Sequence, residues 1–242
     1  MTHSLTPHGE RHRLRIERRY PHAITKVWRA ITEPAELAGW FPARVETELA
    51  VGAKMTFTFP EQPPEADGTQ TNGTITELDP PQVFAFDWDG DLLRWELRAD
   101  GPDTTVLVFT HVFDDRARAA SFATGWDGCF DGLGEVLDGV AVTEAAPYAP
   151  RHESYVEQFR LGEGWLEGTN VVFDRVYPWS RDAVAEALRS QGPVEGEATW
   201  STEDVPGGSR IKLVVEDPAD PEAVLKDWGQ RLADVAAALS TR

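Results

Sequence analysis

Hydrophobic and polar positions alternate with period two through the first half of the chain. Met55, Phe57 and Phe59 alternate with Thr56 and Thr58 over 53–59, and Phe84, Phe86 and Trp88 share one face of 83–88. Leu93, Trp95 and Leu97 stand opposite Arg94, Glu96 and Arg98, and Leu107, Phe109 and His111 share a face of TTVLVFTHVF. Each run predicts a strand with one buried face. After Phe113 the period changes. In 114–138 the residues Phe122, Trp126, Cys129, Phe130, Leu133, Val136 and Leu137 recur at steps of three and four. That spacing predicts one long amphipathic helix, capped by Asp114 or Asp115 and ended by Gly139. Phe122, Trp126 and Phe130 make its apolar stripe bulky. A stripe of that kind requires a broad apolar surface, and the preceding strands supply one. The pattern therefore predicts a curved antiparallel sheet closing around the helix.

The remaining segments fill in the order. Residues 13–20 alternate as a strand that Pro21 stops, and Ile24, Val27, Trp28 and Ile31 form one helical face. Pro34 breaks that helix, and AELAGWF predicts a short second one ending at Trp40-Phe41-Pro42. Residues 43–50 are ambiguous, 60–70 read as a loop, and 73–78 lead to the turn Asp79-Pro80-Pro81. Asp89-Gly90 is a hairpin signal, and Asp100–Asp103 is a further turn. The order β, α, α, strands, long α is an α+β design with the helices on one face of the sheet. Residues 1–12, polar and holding three of the six histidines, read as a flexible tail. They show no metal-ligand spacing.

Composition narrows the function classes. A net charge of −18 argues against nucleic acid and anionic membrane as partners. No stretch approaches the roughly 20 apolar residues of a membrane span. The first residues lack the apolar core of a signal peptide, and one cysteine forms no internal disulfide. Both point to the reducing cytoplasm.

Several short motifs acquire meaning together. They are Val27-Trp28, Leu37 with Trp40, Asp79-Pro80-Pro81 before the aromatic strand 83–88, and Gly125-Trp126. With the run RIERRYPHAITKVWRAITEPAELAGWF they resemble the START-like (SRPBCC) superfamily. The matching branch is the domain named after the activator of the heat-shock-90 ATPase. The resemblance covers about 13–138. It implies a helix-grip fold, also called Bet v-like, with the sheet wrapped around a long C-terminal helix and an apolar cavity between them. It leaves function open, since the superfamily includes ligand carriers, polyketide cyclases and chaperone activators, and bacterial members of this branch are mostly of unknown role.

The C-terminal part repeats the first. Tyr20-Pro21, Val27, Ala30 and Ile31 fall on Tyr177-Pro178, Val184, Ala187 and Leu188. Trp95 falls on Trp200, Val106–Phe109 on Ile211–Val214 without a gap, and Trp126 on Trp228. The chain thus reads as a tail (1–12), a helix-grip domain (13–139), a connecting segment (140–169) and a truncated second copy (170–242). That copy keeps strands near 170–177, 197–203 and 209–216 and a helix over 219–239. Such a sheet is too narrow to enclose a cavity and leaves a bare edge. It is expected to pack on the first domain or a second chain through Trp165, Trp179 or that edge.

No GxSxG, HExxH, P-loop or GxGxxG motif is present. Cys129, on the apolar helix face, reads as a core residue and not a nucleophile. His111 reads either as a satisfied core or rim histidine or as a polar anchor for a ligand. The inward aromatics either fill the core or line a pocket. As a pocket the lining is Trp40, Phe57, Phe59, Phe84, Phe86, Trp88, Trp95, Phe109, His111, Phe122 and Trp126. The expected function is non-catalytic binding of a small hydrophobic or aromatic molecule, without cofactor or metal. A chaperone-activator-like interaction module, with a protein partner or homodimer, is the alternative. A polyketide-cyclase-like enzyme is the third reading, and it requires converging polar groups of which the sequence offers only His111.

Overall fold

Period-two segments form strands and period-3.6 segments form helices in the computed structural model, which describes residues 2–59, 70–143, 146–191 and 198–241. Two compact units result: Met1–Asp115 with Gly125–Ala145, and Arg116–Thr124 with Ala146–Arg242. The loop expected over 60–70 lies outside the described residues, apart from the strand position at its end.

The first unit holds β1 (Thr2–His8), β2 (Arg11–Tyr20), α1 (Ile24–Thr32), α2 (Pro34–Leu37), β3 (Arg44–Thr47), β4 (Lys54–Thr58), β5 (Gln70–Asp79), β6 (Val83–Trp88), β7 (Asp91–Ala99) and β8 (Thr105–Phe113). These strands make one antiparallel sheet in the order β1-β2-β8-β7-β6-β5-β4-β3. The first strand of the domain proper thus pairs with the last. The Asp89-Gly90 hairpin forms as expected, with φ of 50° and 90° at the two turn residues. Gly73 permits β5 to run close to β6, because a Cβ there would meet the Asp87 carbonyl oxygen at 2.3 Å.

Two expectations need correction here. The segment expected as a flexible tail contains β1, which pairs with β2 from Thr2↔Glu17 to His8↔Arg11. Its side chains are too polar to advertise a strand, but pairing to β2 satisfies its backbone. The long helix also begins later than expected. A 3-10 turn, Arg116–Arg118, precedes α3 (Ala119–Asp138), and Gly139 ends it at φ 71°. Gly125, Gly128, Gly132 and Gly134 make α3 a poor helix by propensity. Packing supports it: Trp40 lies against Gly132 and the Tyr20 ring against Gly134.

The second unit holds α4 (Tyr148–Gln158), β9 (Trp165–Glu167), β10 (Asn170–Tyr177), α5 (Arg181–Ser190), β11 (Thr199–Val205), β12 (Gly208–Val215) and α6 (Pro221–Ser240). Its strand order, β11-β12-β10-β9, repeats β7-β8-β2. The repetition reaches single hydrogen bonds. Tyr20 donates from its hydroxyl to the Phe130 carbonyl at 3.0 Å, and Tyr177 donates to the Leu232 carbonyl at 2.9 Å. Burial pushes both phenols up in pKa. The fold is therefore α+β helix-grip with a truncated second copy.

The gapless match of Val106–Phe109 to Ile211–Val214 is one residue out. Ile16 pairs with Phe109, and its counterpart Phe173 pairs with Leu213. Thr105, Leu107 and Phe109 therefore correspond to Ser209, Ile211 and Leu213, all fully buried. The second hairpin is one residue shorter, and a one-residue slip would turn the whole strand inside out. Residues 140–169 do more than connect, since they carry α4 and β9. Strand β9 lies on β10 where β1 lies on β2, pairing Val172 with Trp165 and Asn170 with Glu167, while the edge expected to be bare, that of β11, has no further strand among the described residues.

Candidate functional site

Register places the aromatic side chains of the first unit. Phe84 pairs with Trp95 across β6 and β7, and Trp95 pairs with Phe109 across β7 and β8. Side chains in register share one face. The rings form a continuous network, with centroid separations of 5.8 Å for Phe84–Trp95, 5.1 Å for Phe86–Trp95 and 4.9 Å for Trp95–Phe109. The network crosses from sheet to helix at Phe109–Trp126 (4.5 Å), Phe109–Phe130 (5.2 Å) and Trp95–Trp126 (5.9 Å). Phe57, Phe86, Trp95 and Phe109 are at most 2% exposed. At these positions the rings fill the space between sheet and α3.

The network changes character toward β4. Trp88 stacks on Phe57 at 4.4 Å and on Phe59 at 6.0 Å, and both Trp88 and Phe59 are only half-buried. Phe41 joins this end, 5.7 Å from Trp88 and 6.0 Å from Trp126. Trp40 lies 5.6 Å from Phe41 and donates its indole N–H to the Ala30 carbonyl. Phe41 and Phe130 were absent from the expected lining. Phe130 was visible on the helix stripe, whereas Phe41 sits in the turn after α2 with no periodicity to place it. Phe122, expected among the lining residues, falls in the second unit, where the Arg118 guanidinium lies 4.7 Å above its ring.

His111 is 3% exposed. Its Nδ1 lies 3.3 Å from Trp126 Nε1, and its Nε2 lies 2.9 Å from Asp91 Oδ2. An indole N–H can only donate, so Nδ1 accepts and Nε2 carries the proton that Asp91 receives. Arg11 contacts Asp91 in turn. Both ring nitrogens are thus hydrogen-bonded in this arrangement. Asp91 could have been suspected only from its place at the start of β7. Burial pushes the Cys129 thiol up to about 12, which removes it as a nucleophile.

Asp127, one residue beyond Trp126, belongs to a separate polar cluster. Arg18 donates to Asp127 Oδ1 at 2.8 Å and to Asp131 Oδ1 at 2.7 Å, and His3 lies 2.8 Å from Asp127. The cluster ties β1 and β2 to α3.

These features can be set beside known proteins. Residues 21–138 match the family model described as activator of Hsp90 ATPase homolog 1-like protein. Over those residues, just under half of the chain, the sequence is similar to that family. No curated protein sequence matches the chain. Among solved structures, a conserved protein of unknown function from Enterococcus faecalis, EF2215, aligns with TM-score 0.55 at 20% identity, covering 64% of this chain and 89% of that one. CalU16 from Micromonospora echinospora aligns with TM-score 0.51 at 22% identity, covering 64% and 96%. At that identity the likeness concerns the fold. Among the described residues of the AHSA1-like chain, no helix is long and apolar enough to cross a membrane.

The second unit departs from expectation in a further respect. Open space lies between α4, α6 and residues 160–164, in a groove of about 1050 Å³. The narrow sheet does not enclose it; α4, which the sequence reading assigned to a connector, supplies its second wall.

Proposed function

We propose that the AHSA1-like domain is a non-catalytic binder of a small apolar molecule, held at the end of the aromatic core where Trp40, Phe41, Phe59 and Trp88 meet Trp126. The observation that carries this reading is the gradient along the ring network. At Trp95 and Phe109 the rings are sealed, while Phe59 and Trp88 stack on the network and keep part of their faces in contact with solvent. Half-exposed stacked rings gain most from an apolar occupant, because covering them removes area from water at about 25 cal/mol per Å². His111 supports the same reading, since its hydrogen bond with Trp126 holds that ring at the end of the core.

The neutral probe N-phenyl-1-naphthylamine tests the reading. Saturable probe emission, with quenching of tryptophan emission by energy transfer, is expected. Trp88→Ala should weaken it, and Trp165→Ala in the second unit should not. Absence of saturable binding, or equal binding by the Trp88 variant, would count against the site. A second reading, a protein-interaction module, draws on Trp165 and Leu166, which are 44% and 54% exposed on the outer strand β9. Sedimentation of the intact protein and its Trp165→Ser variant distinguishes self-association through that strand.

A further inference from the structure

The two copies treat one buried cation differently. In the first, Arg18 meets two carboxylates of α3, Asp127 and Asp131, as described above. Its counterpart 157 positions later is Arg175, on β10 between Phe173 and Tyr177. The counterparts of the two aspartates follow from a fixed register. Trp126 and Trp228 are 102 positions apart, and so are Phe130 and Leu232, the carbonyls that accept the two tyrosine hydroxyls. At that spacing Asp127 becomes Gly229 and Asp131 becomes Ala233. The second copy has kept the arginine and lost both of its helix carboxylates.

The groove of the second unit occupies the place they vacated. Gly229, Ala233 and Arg175 all line it. Arg175 is 4% exposed. Its Nη1 donates to the Leu232 carbonyl at 3.0 Å, and Nη2 donates to Glu153 of α4. Its Nε is buried without a partner among the described residues, as is that of Arg18, so the difference between the copies lies at Nη1 and Nη2. A guanidinium carries five N–H donors, so Arg175 keeps unused donor capacity beside an open space. Around it the lining is largely apolar, with Val156 on α4 and Leu225, Ala236 and Ala237 on α6.

We propose that this groove binds a small apolar carboxylic acid. Its carboxylate meets Arg175 as Asp127 and Asp131 meet Arg18, and its apolar body lies along Leu225, Gly229, Ala233 and Ala237. The remaining charges limit the class. Arg160 at the rim is paired with Glu163 at 2.6 Å, and Glu157 and Glu222 also line the groove. A polyanion such as a phosphate ester would meet these acids, whereas a single carboxylate adds one charge, to be met by the donors Arg175 does not spend on Glu153 and by Lys226, which also lines the groove. The site is separate from the aromatic end of the first copy and does not depend on it.

Calorimetric titration of the full chain with decanoate and decanamide, which differ in charge and little in shape, tests the proposal. Decanoate should bind roughly ten- to a hundredfold more tightly, the range of a hydrogen bond to a charged group. Ala233→Asp should remove that preference by placing a carboxylate where Asp131 stands on Arg18. Ala233 is exposed, and this change leaves the core intact. Arg175→Met should abolish the preference too. Because Glu153 would then lose its partner, a melting curve accompanies that variant, and if it fails to fold Ala233→Asp decides alone. Equal binding of the two probes, no binding of decanoate, or an undiminished preference in Ala233→Asp would overturn the proposal.

Discussion

Replacing Phe109 by alanine tests whether the rings themselves hold the sheet to the helix. Phe109 is fully buried on β8 and contacts Trp95 on β7 and both Trp126 and Phe130 on α3. A buried Phe→Ala change costs about 3–5 kcal/mol, as lost transfer energy and a residual cavity. Three aromatic partners, each worth about 0.5–1.5 kcal/mol beyond area, place Phe109 at the upper end of that range. Against a net stability of about 5–15 kcal/mol the loss is a third or more. With a urea slope of about 2–3 kcal/mol per molar, the midpoint should fall by about 1–2 M at unchanged slope. The cavity would be dry and apolar, so saturating benzene should recover part of the loss. A cost under about 1 kcal/mol, or no recovery with benzene, would refute the idea that these rings close the space between sheet and helix.

Other consequences can be checked more briefly. Tyr20→Phe and Tyr177→Phe should each cost about 1 kcal/mol, and by similar amounts, because each removes one hydroxyl from the same place in its copy; thermal melts differing by several-fold would break the equivalence. Ellman's reagent should leave Cys129 unmodified at pH 8 in the folded protein and react at once in denaturant, since a thiol pushed up to about 12 is about one part in ten thousand thiolate there. The hydrogen bond from Arg94 holds the Glu77 carboxyl below its ordinary range. Its folded pKa is depressed, so its stabilisation is present above the ordinary carboxylate value and fades as pH falls through the lowered one. Glu77→Gln should therefore flatten the acid limb of melting temperature against pH, by at most about 1 kcal/mol because the pair is solvent-exposed. A limb as steep as that of the parent protein would contradict that assignment.

Alternation and helical spacing made the architecture legible because they record which face is buried. Phe57, Phe86, Trp95 and Phe109 could each be assigned inward from the strand pattern, and Trp126 from the helix stripe. Patterns that burial does not write were missed. Strand β1 forms by pairing its backbone to β2, and its polar side chains carry no alternation. Strand β9 is three residues long, too short to show a period. Phe41 enters the site through a tight turn after α2. Phe122 kept the helical spacing of Trp126 yet falls in the other unit, because α3 contributes residues to both. The Arg18 and Arg175 contrast was present in the aligned sequences, but its meaning needed the helix register, which the Trp126–Trp228 match gives and the two tyrosine hydrogen bonds confirm.

Native mass spectrometry of the freshly purified full chain tests the central claim most directly, that the AHSA1-like domain holds a small apolar molecule at the Trp88 end of its core. The account predicts a population heavier than the polypeptide by one small molecule. That population should be lost in Trp88→Ala and kept in Ala233→Asp, which separates it from any occupant of the second groove. A spectrum showing only the bare chain, together with no adduct after incubation with N-phenyl-1-naphthylamine, would contradict it.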